Sequence, residues 1–178
     1  MHPVIAIFWS LGQFGPFPEA VKAIFSAGID GRVCPGRDLM VAAAETAAVW
    51  PLQGRLELAA LATAPACARG HVRVLLHEWG VPGRKDTAEL MVSELVTNAV
   101  RAYEGVGARA NVPVVRIWLA CDGVRLMIHV WDGIDDMPVR QDASPDQESG
   151  RGLMLVESLS QDWGAYRTAN GKVVWVAL

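Results

Sequence analysis

Residues 89–100 read ELMVSELVTNAV, and the reading of the fold turns on what this long apolar helix does with its two polar interruptions. Glu94 and Asn98 stand four residues apart, about one helical turn. Both side chains therefore leave the same side of the helix, one above the other. A solvent-facing stripe of Glu94, Asn98 and Arg101 would account for them. So would the floor of a pocket, and the flanking sequence has to decide.

Outward from that helix the punctuation is orderly. Upstream, GRLELAAL (54–61) can form a short strand. APACARGHVRVLLHEWG (64–80) spaces its apolar residues as a helix does and stops at Gly80, a residue that often ends one. VPGRKD (81–86) is a turn that places Asp86 as the N-cap of the central helix, which runs to about Tyr103. Downstream, VPVVRIWLAC (112–121) and VRLMIHVW (124–131) alternate in twos. That period is expected of a sheet with helices on one side and something more polar on the other. CDG between them is a tight turn, so the pair reads as an antiparallel hairpin. A loop follows, DMPVRQDASPDQESG (136–150), then a helix, RGLMLVESLSQ (151–161), and a closing hairpin of DWGAYRT (162–168) and KVVWVAL (172–178) joined by ANG. The expected fold is a two-layer α+β sandwich, a mostly antiparallel sheet with helices packed on one face.

Residues 1–49 differ in style. Gly and Pro punctuate short apolar pieces, with one short helix expected near 19–27 and an alanine-rich stretch, DLMVAAAETAAVW (38–50). Met40 offers an alternative start. The expected division is an N-terminal extension, 1–49, and one domain, 50–178. The first twenty residues lack the basic n-region and cleavage site of a signal peptide, and Gly12, Gly15, Pro16, Pro18 and Glu19 break their apolar run short of a membrane span. A cytoplasmic protein is expected.

The 178 residues carry a formal net charge of −3 and are 52% apolar, with no Lys/Arg cluster that would bind nucleic acid. Three scattered cysteines, Cys34, Cys67 and Cys121, read as reduced thiols rather than a disulfide framework or a zinc site. No structural metal is expected.

Three features carry chemistry. Glu94 could act as a general base near a phosphoryl group, and Asn98 could give its carbonyl oxygen to Mg²⁺, which commonly takes one or two protein ligands and completes its shell with phosphates and water. Asp132, directly after an apolar strand in HVWDG, could accept from an exocyclic amine such as that of adenine, or could simply start a turn. In ESGRGL, Gly150 and Gly152 precede a helix whose unpaired N–H groups and dipole suit phosphate oxygens. Taken alone, that G-x-G is better explained by an ordinary loop-to-helix junction.

Taken in order, E-x-x-x-N on a helix, Asp after a strand and G-x-G before a helix resemble the GHKL (Bergerat-fold) ATPases, the group of DNA gyrase, Hsp90, histidine kinases and MutL-type proteins. VSELVTNAVRAY (92–103), VWDGIDDMP (130–138), ESGRGLMLVESLSQDWG (148–164) and GKVVWVAL (171–178) look most like its small bacterial regulatory branch, the ATP-binding anti-sigma-factor serine kinases. The resemblance covers about residues 50–178. It implies ATP and Mg²⁺ as cofactors, Asn98 as the Mg²⁺ ligand and Glu94 as the catalytic carboxylate. It implies Asp132 as acceptor for the adenine amine. Gly150, Arg151 and Gly152 would form the second glycine box, and residues 135–149 the ATP lid. One departure is plain: the first glycine box is D-x-G-x-G, and Ile134 and Asp136 stand where its glycines belong. A side chain at Ile134 would narrow the adenine pocket, and two added carboxylates near a polyanion are unfavourable.

The implied function is an ATP- and Mg²⁺-dependent serine/threonine protein kinase. It would hold a sigma factor or similar regulator and phosphorylate a small antagonist protein; a homodimer is compatible with the branch. The alternative is a non-catalytic docking module of the same kind of pathway.

Overall fold

A computed structural model describes residues 50–104, 112–138 and 151–178. The helix expected near 19–27, the alanine-rich stretch before Trp50, Gly150 and most of the lid segment lie outside the described residues.

Two hairpins and a leading strand make the sheet. The strands are β1 (Leu52–Ala59), β2 (Val114–Cys121), β3 (Leu126–Asp132), β4 (Asp162–Thr168) and β5 (Gly171–Ala177). Their order is β1-β2-β3-β5-β4, every neighbour antiparallel. Strand β3 starts two residues later than the alternation suggested. Asp122 ends β2 by accepting the backbone N–H of Val124 and Arg125 at 2.8 and 2.6 Å, and Gly123 takes φ +93° in the turn. The side chain substitutes for ladder bonds there, as aspartates in turns do.

Three helices cover one face: α1 (Ala64–Glu78), α2 (Lys85–Ala102) and α3 (Arg151–Leu159). Helix α1 buries Ala64, Ala68, Val72, Leu75 and Leu76, a single stripe at helical spacing. It ends as expected, with Gly80 at φ +70° and the Val81 N–H returning to Leu76 O at 3.0 Å. Helix α2 buries Ala88, Met91, Val92, Leu95, Val96 and Ala99. Its start corrects one expectation: Asp86 is not the N-cap. A 3-10 turn, Pro82–Arg84, runs straight into the helix, Arg84 is the cap residue, and Asp86 lies inside the first turn, where its charge still favours the helix dipole.

The core lies between these helices and the side of the sheet that carries Val115, Ile117, Leu119, Ile128, Val130, Val174 and Val176. The other side of the sheet is less polar than the alternation implied. Trp118 and Met127 are 6% and 7% exposed, and His129 is fully buried, its ring centroid 6.4 Å from that of Trp175. Burial pushes the His129 imidazole down to about 3.

Candidate functional site

Strand β3 ends in Asp132, whose register partner on β5 is Lys172. On the other side Asp132 faces Val115 of β2, a core residue. Directly paired residues share a face of a sheet, so Asp132 and Lys172 both point to the helix side. Lys172 Nζ donates to Asp132 Oδ1 at 2.9 Å, with side-chain exposures of only 7% and 2%. A buried pair adds little net stability, but removing one partner strands the other charge, at about 3–5 kcal/mol. Burial pushes the Asp132 carboxyl above the usual carboxylate range; the Lys172 ammonium and the Ile134 N–H oppose that.

The loop after Asp132 is the one that lacks the expected glycines, and side chains hold it instead. Gly133 N–H donates to the Tyr103 hydroxyl at 2.6 Å, and Ile134 N–H donates to Asp132 Oδ1 at 3.0 Å. Lys172 Nζ reaches Ile134 O at 3.2 Å, and Arg167 donates to Asp135 O at 2.5 Å. Ile134 itself is 9% exposed, so its side chain is packed inward beside Asp132. Asp135 and Asp136 are exposed.

One consequence of this network concerns the two carboxylate oxygens. Both bonds to Asp132, from Lys172 and from Ile134, fall on Oδ1. Among the described residues Oδ2 accepts none, and it is not one of the sealed polar atoms lacking a partner. The carboxylate is held by one oxygen and offers the other.

Glu94 and Asn98 are half-buried on α2. The neighbouring flank of that helix is committed to α1. Arg73 there makes a two-pronged pair with Glu89 at 2.8 and 2.7 Å, and Arg69 donates to Ser93 Oγ at 3.2 Å. At 100° per residue, Glu94 and Asn98 lie roughly 100–140° around the helix from Ser93, away from α1. Helix α2 packs on β3 and against α3. The helix bearing Glu94 and Asn98 thus neighbours both the strand ending in Asp132 and the helix that Arg151 and Gly152 open. Tyr103, five residues after Asn98, ties the end of α2 to the Asp132 loop. Its hydroxyl, having accepted from Gly133, donates to Val114 O at 2.9 Å.

The structure therefore brings Glu94, Asn98, Asp132, Arg151 and Gly152 onto adjoining elements. Sequence reasoning missed Lys172, Tyr103 and Arg167. The signal for Lys172 was available: a lone lysine in an apolar strand, on the parity that faces the core. A separate hollow of about 510 Å³ opens where Thr97, Val100, Arg101 and Tyr103 meet Leu61 and Pro113; it does not include Glu94, Asn98 or Asp132. Among the described residues no cluster of three or more His, Cys, Asp or Glu could hold a metal, and no helix is long and apolar enough to cross a membrane.

A sequence model described as histidine kinase-like ATPase domain matches residues 58–178, from the end of β1 to the last residue. The chain belongs to the histidine kinase-like ATPase family. Its antiparallel sheet with helices on one face is the Bergerat-type fold of the GHKL ATPases. Among solved structures, that of the RsbU and RsbW domains of a Mycobacterium tuberculosis protein is similar at 23% identity with a TM-score of 0.48. The match covers 70% of this chain and 31% of that one, so this chain spans under a third of the solved chain's length. No curated protein matches. As a histidine kinase-like ATPase domain, the chain has the architecture of an ATP-binding module.

Proposed function

We propose that this domain binds Mg²⁺-ATP and acts as a serine/threonine protein kinase of the partner-switching kind, phosphorylating a small antagonist protein. The observation that carries the reading is the half-used carboxylate of Asp132. Lys172 and Ile134 N–H fix its Oδ1, and Oδ2 is left for a donor, at the strand end adjoining the helix that bears Glu94 and Asn98. An amine such as that on C6 of adenine completes such an acceptor.

When bound, ATP with Mg²⁺ supplies the transferable phosphoryl group and the cation that neutralises it. Phosphoryl transfer needs mainly positioning and electrostatic stabilisation, and the chain's own groups suit those tasks. Asp132 orients the base. Asn98, an amide with no charge to compensate, is a fitting single protein ligand for Mg²⁺. The N-terminal N–H groups of α3, at Arg151 and Gly152, favour phosphate oxygens, and Gly150 would extend that contact. Glu94, one turn before Asn98, would take the proton from the serine hydroxyl of the antagonist as the serine oxygen replaces the bridging oxygen on the γ-phosphorus, with ADP as the leaving group.

A non-catalytic docking module is the second reading, and Ile134 favours it. Its packed side chain occupies a position that the family pattern gives to glycine. Incubating the protein with labelled ATP and candidate antagonist proteins separates the two: transfer of label, abolished by Glu94→Gln, supports the kinase. Tight ATP binding with no transfer to any cognate antagonist would leave only the docking role. A sigma factor or similar regulator is the partner this reading implies.

A further inference from the structure

Beside Asp132 the site carries a second polar group with capacity to spare. The Lys172 ammonium has three N–H donors. It gives one to Asp132 Oδ1 and one to Ile134 O, and one remains. Asp132 shows the complementary remainder, with Oδ1 doubly engaged and Oδ2 accepting nothing among the described residues. Both side chains are buried, where unmade hydrogen bonds cost free energy. A ligand that carries a donor next to an acceptor would satisfy both at once. Adenine has that pattern on one edge: the C6 amine donates, and the adjacent ring nitrogen N1 accepts.

We propose that Lys172 reads the base, donating to N1 of adenine while Asp132 Oδ2 accepts from the C6 amine. The inference rests on the nucleotide reading of the site and adds a specificity residue to it. Hypoxanthine carries the two functions exchanged, an oxygen on C6 and an N–H at N1. In the pose that suits adenine it would set acceptor against acceptor at Asp132 and donor against donor at Lys172. The same two groups that welcome ATP would therefore reject inosine triphosphate, since a site built around hydrogen bonds discriminates against analogues that leave its polar groups unpaired.

The decisive comparison varies the ligand rather than the protein, because Lys172→Met strands a buried carboxylate and could fail to fold. The wild-type protein is titrated calorimetrically with ATP, 1-deaza-ATP (a C–H in place of N1) and inosine triphosphate, all with Mg²⁺. The expected result is a loss of about tenfold for 1-deaza-ATP, the scale of one hydrogen bond to a charged group, and at least as large a loss for inosine triphosphate. If it folds, Lys172→Met binds ATP and 1-deaza-ATP equally. Equal wild-type affinities for ATP and 1-deaza-ATP would reduce Lys172 to a structural counter-ion and overturn the inference while leaving the pocket in place. Inosine triphosphate bound as tightly as ATP would do the same. Failure of the folded protein to bind ATP would overturn the nucleotide reading, and this inference with it.

Discussion

Tyr103 and Gly133 are joined by a 2.6 Å hydrogen bond in which the backbone N–H of Gly133 donates to the Tyr103 hydroxyl. Tyr103 closes α2 and Gly133 opens the loop after Asp132, so one side chain couples the helix of Glu94 and Asn98 to the carboxylate at the end of β3.

Tyr103→Phe removes both that acceptor and the donor to Val114 O. The loss is expected at about 1–3 kcal/mol, since a half-buried N–H loses its partner. ATP affinity should fall with it, because the loop that presents Asp132 loosens. Urea denaturation and ATP titration of the same variant check the two effects; a stability loss with unchanged affinity would uncouple the loop from the site.

Gly171→Ala should be among the most damaging single changes. Gly171 takes φ +145°, and a Cβ there would lie 2.0 Å from the backbone oxygen of Asp132, at the point where β5 pairs with β3. The expected cost is about 2–4 kcal/mol, with ATP binding lost because Asp132 must move. A variant that melts with the wild type would contradict the close approach.

Ile134→Gly restores one glycine of the family's first box. It gives up a buried side chain and stiffens nothing in return, so stability should drop by about 1–3 kcal/mol. ATP binding should nevertheless tighten, as the pocket beside Asp132 widens. Titration of both proteins decides; unchanged affinity would mean that Ile134 does not bound the site.

His129 makes stability depend on pH. Its imidazole sits at about 3 in the folded chain, against about 6.5 unfolded, so acidification protonates the unfolded chain first. The stabilisation is complete above the unfolded value and is lost as pH falls from about 6.5 towards 3. Between pH 7 and 5 the loss should be about 2 kcal/mol. Urea denaturation at the two pH values measures it, and His129→Leu should remove this part of the difference. An undiminished difference in that variant would assign it to other groups.

Much of this was legible in the sequence because local signals agreed with the fold. The alternation in 112–121 and 124–131, the CDG turn and the glycine after α1 each pointed to the element that formed. Asp86 misled because a good capping residue lies within two positions of the helix start, and the 3-10 turn at Pro82–Arg84 settled the register without it. The side of the sheet with Trp118, Met127 and His129 misled because alternation with a histidine or a tryptophan reads as half-polar, whereas burial depends on what packs there. At the site, Asp132, Glu94 and Asn98 could be picked out as residue types at telling spacings. Lys172 was marked only as a lone lysine on the core parity of an apolar strand; its pairing with Asp132 comes from a register across two strands, 40 positions apart in sequence. The use of Oδ1 but not Oδ2 is a matter of geometry that no spacing encodes.

The central claim is tested most directly by calorimetric titration of ATP into the wild-type protein with and without Mg²⁺, beside Asn98→Ala and Asp132→Ala. The account predicts Mg²⁺-dependent binding in the micromolar range, abolished in Asp132→Ala and deprived of its Mg²⁺ dependence in Asn98→Ala. Absence of binding by the folded wild-type protein, or binding indifferent to both substitutions, would contradict it.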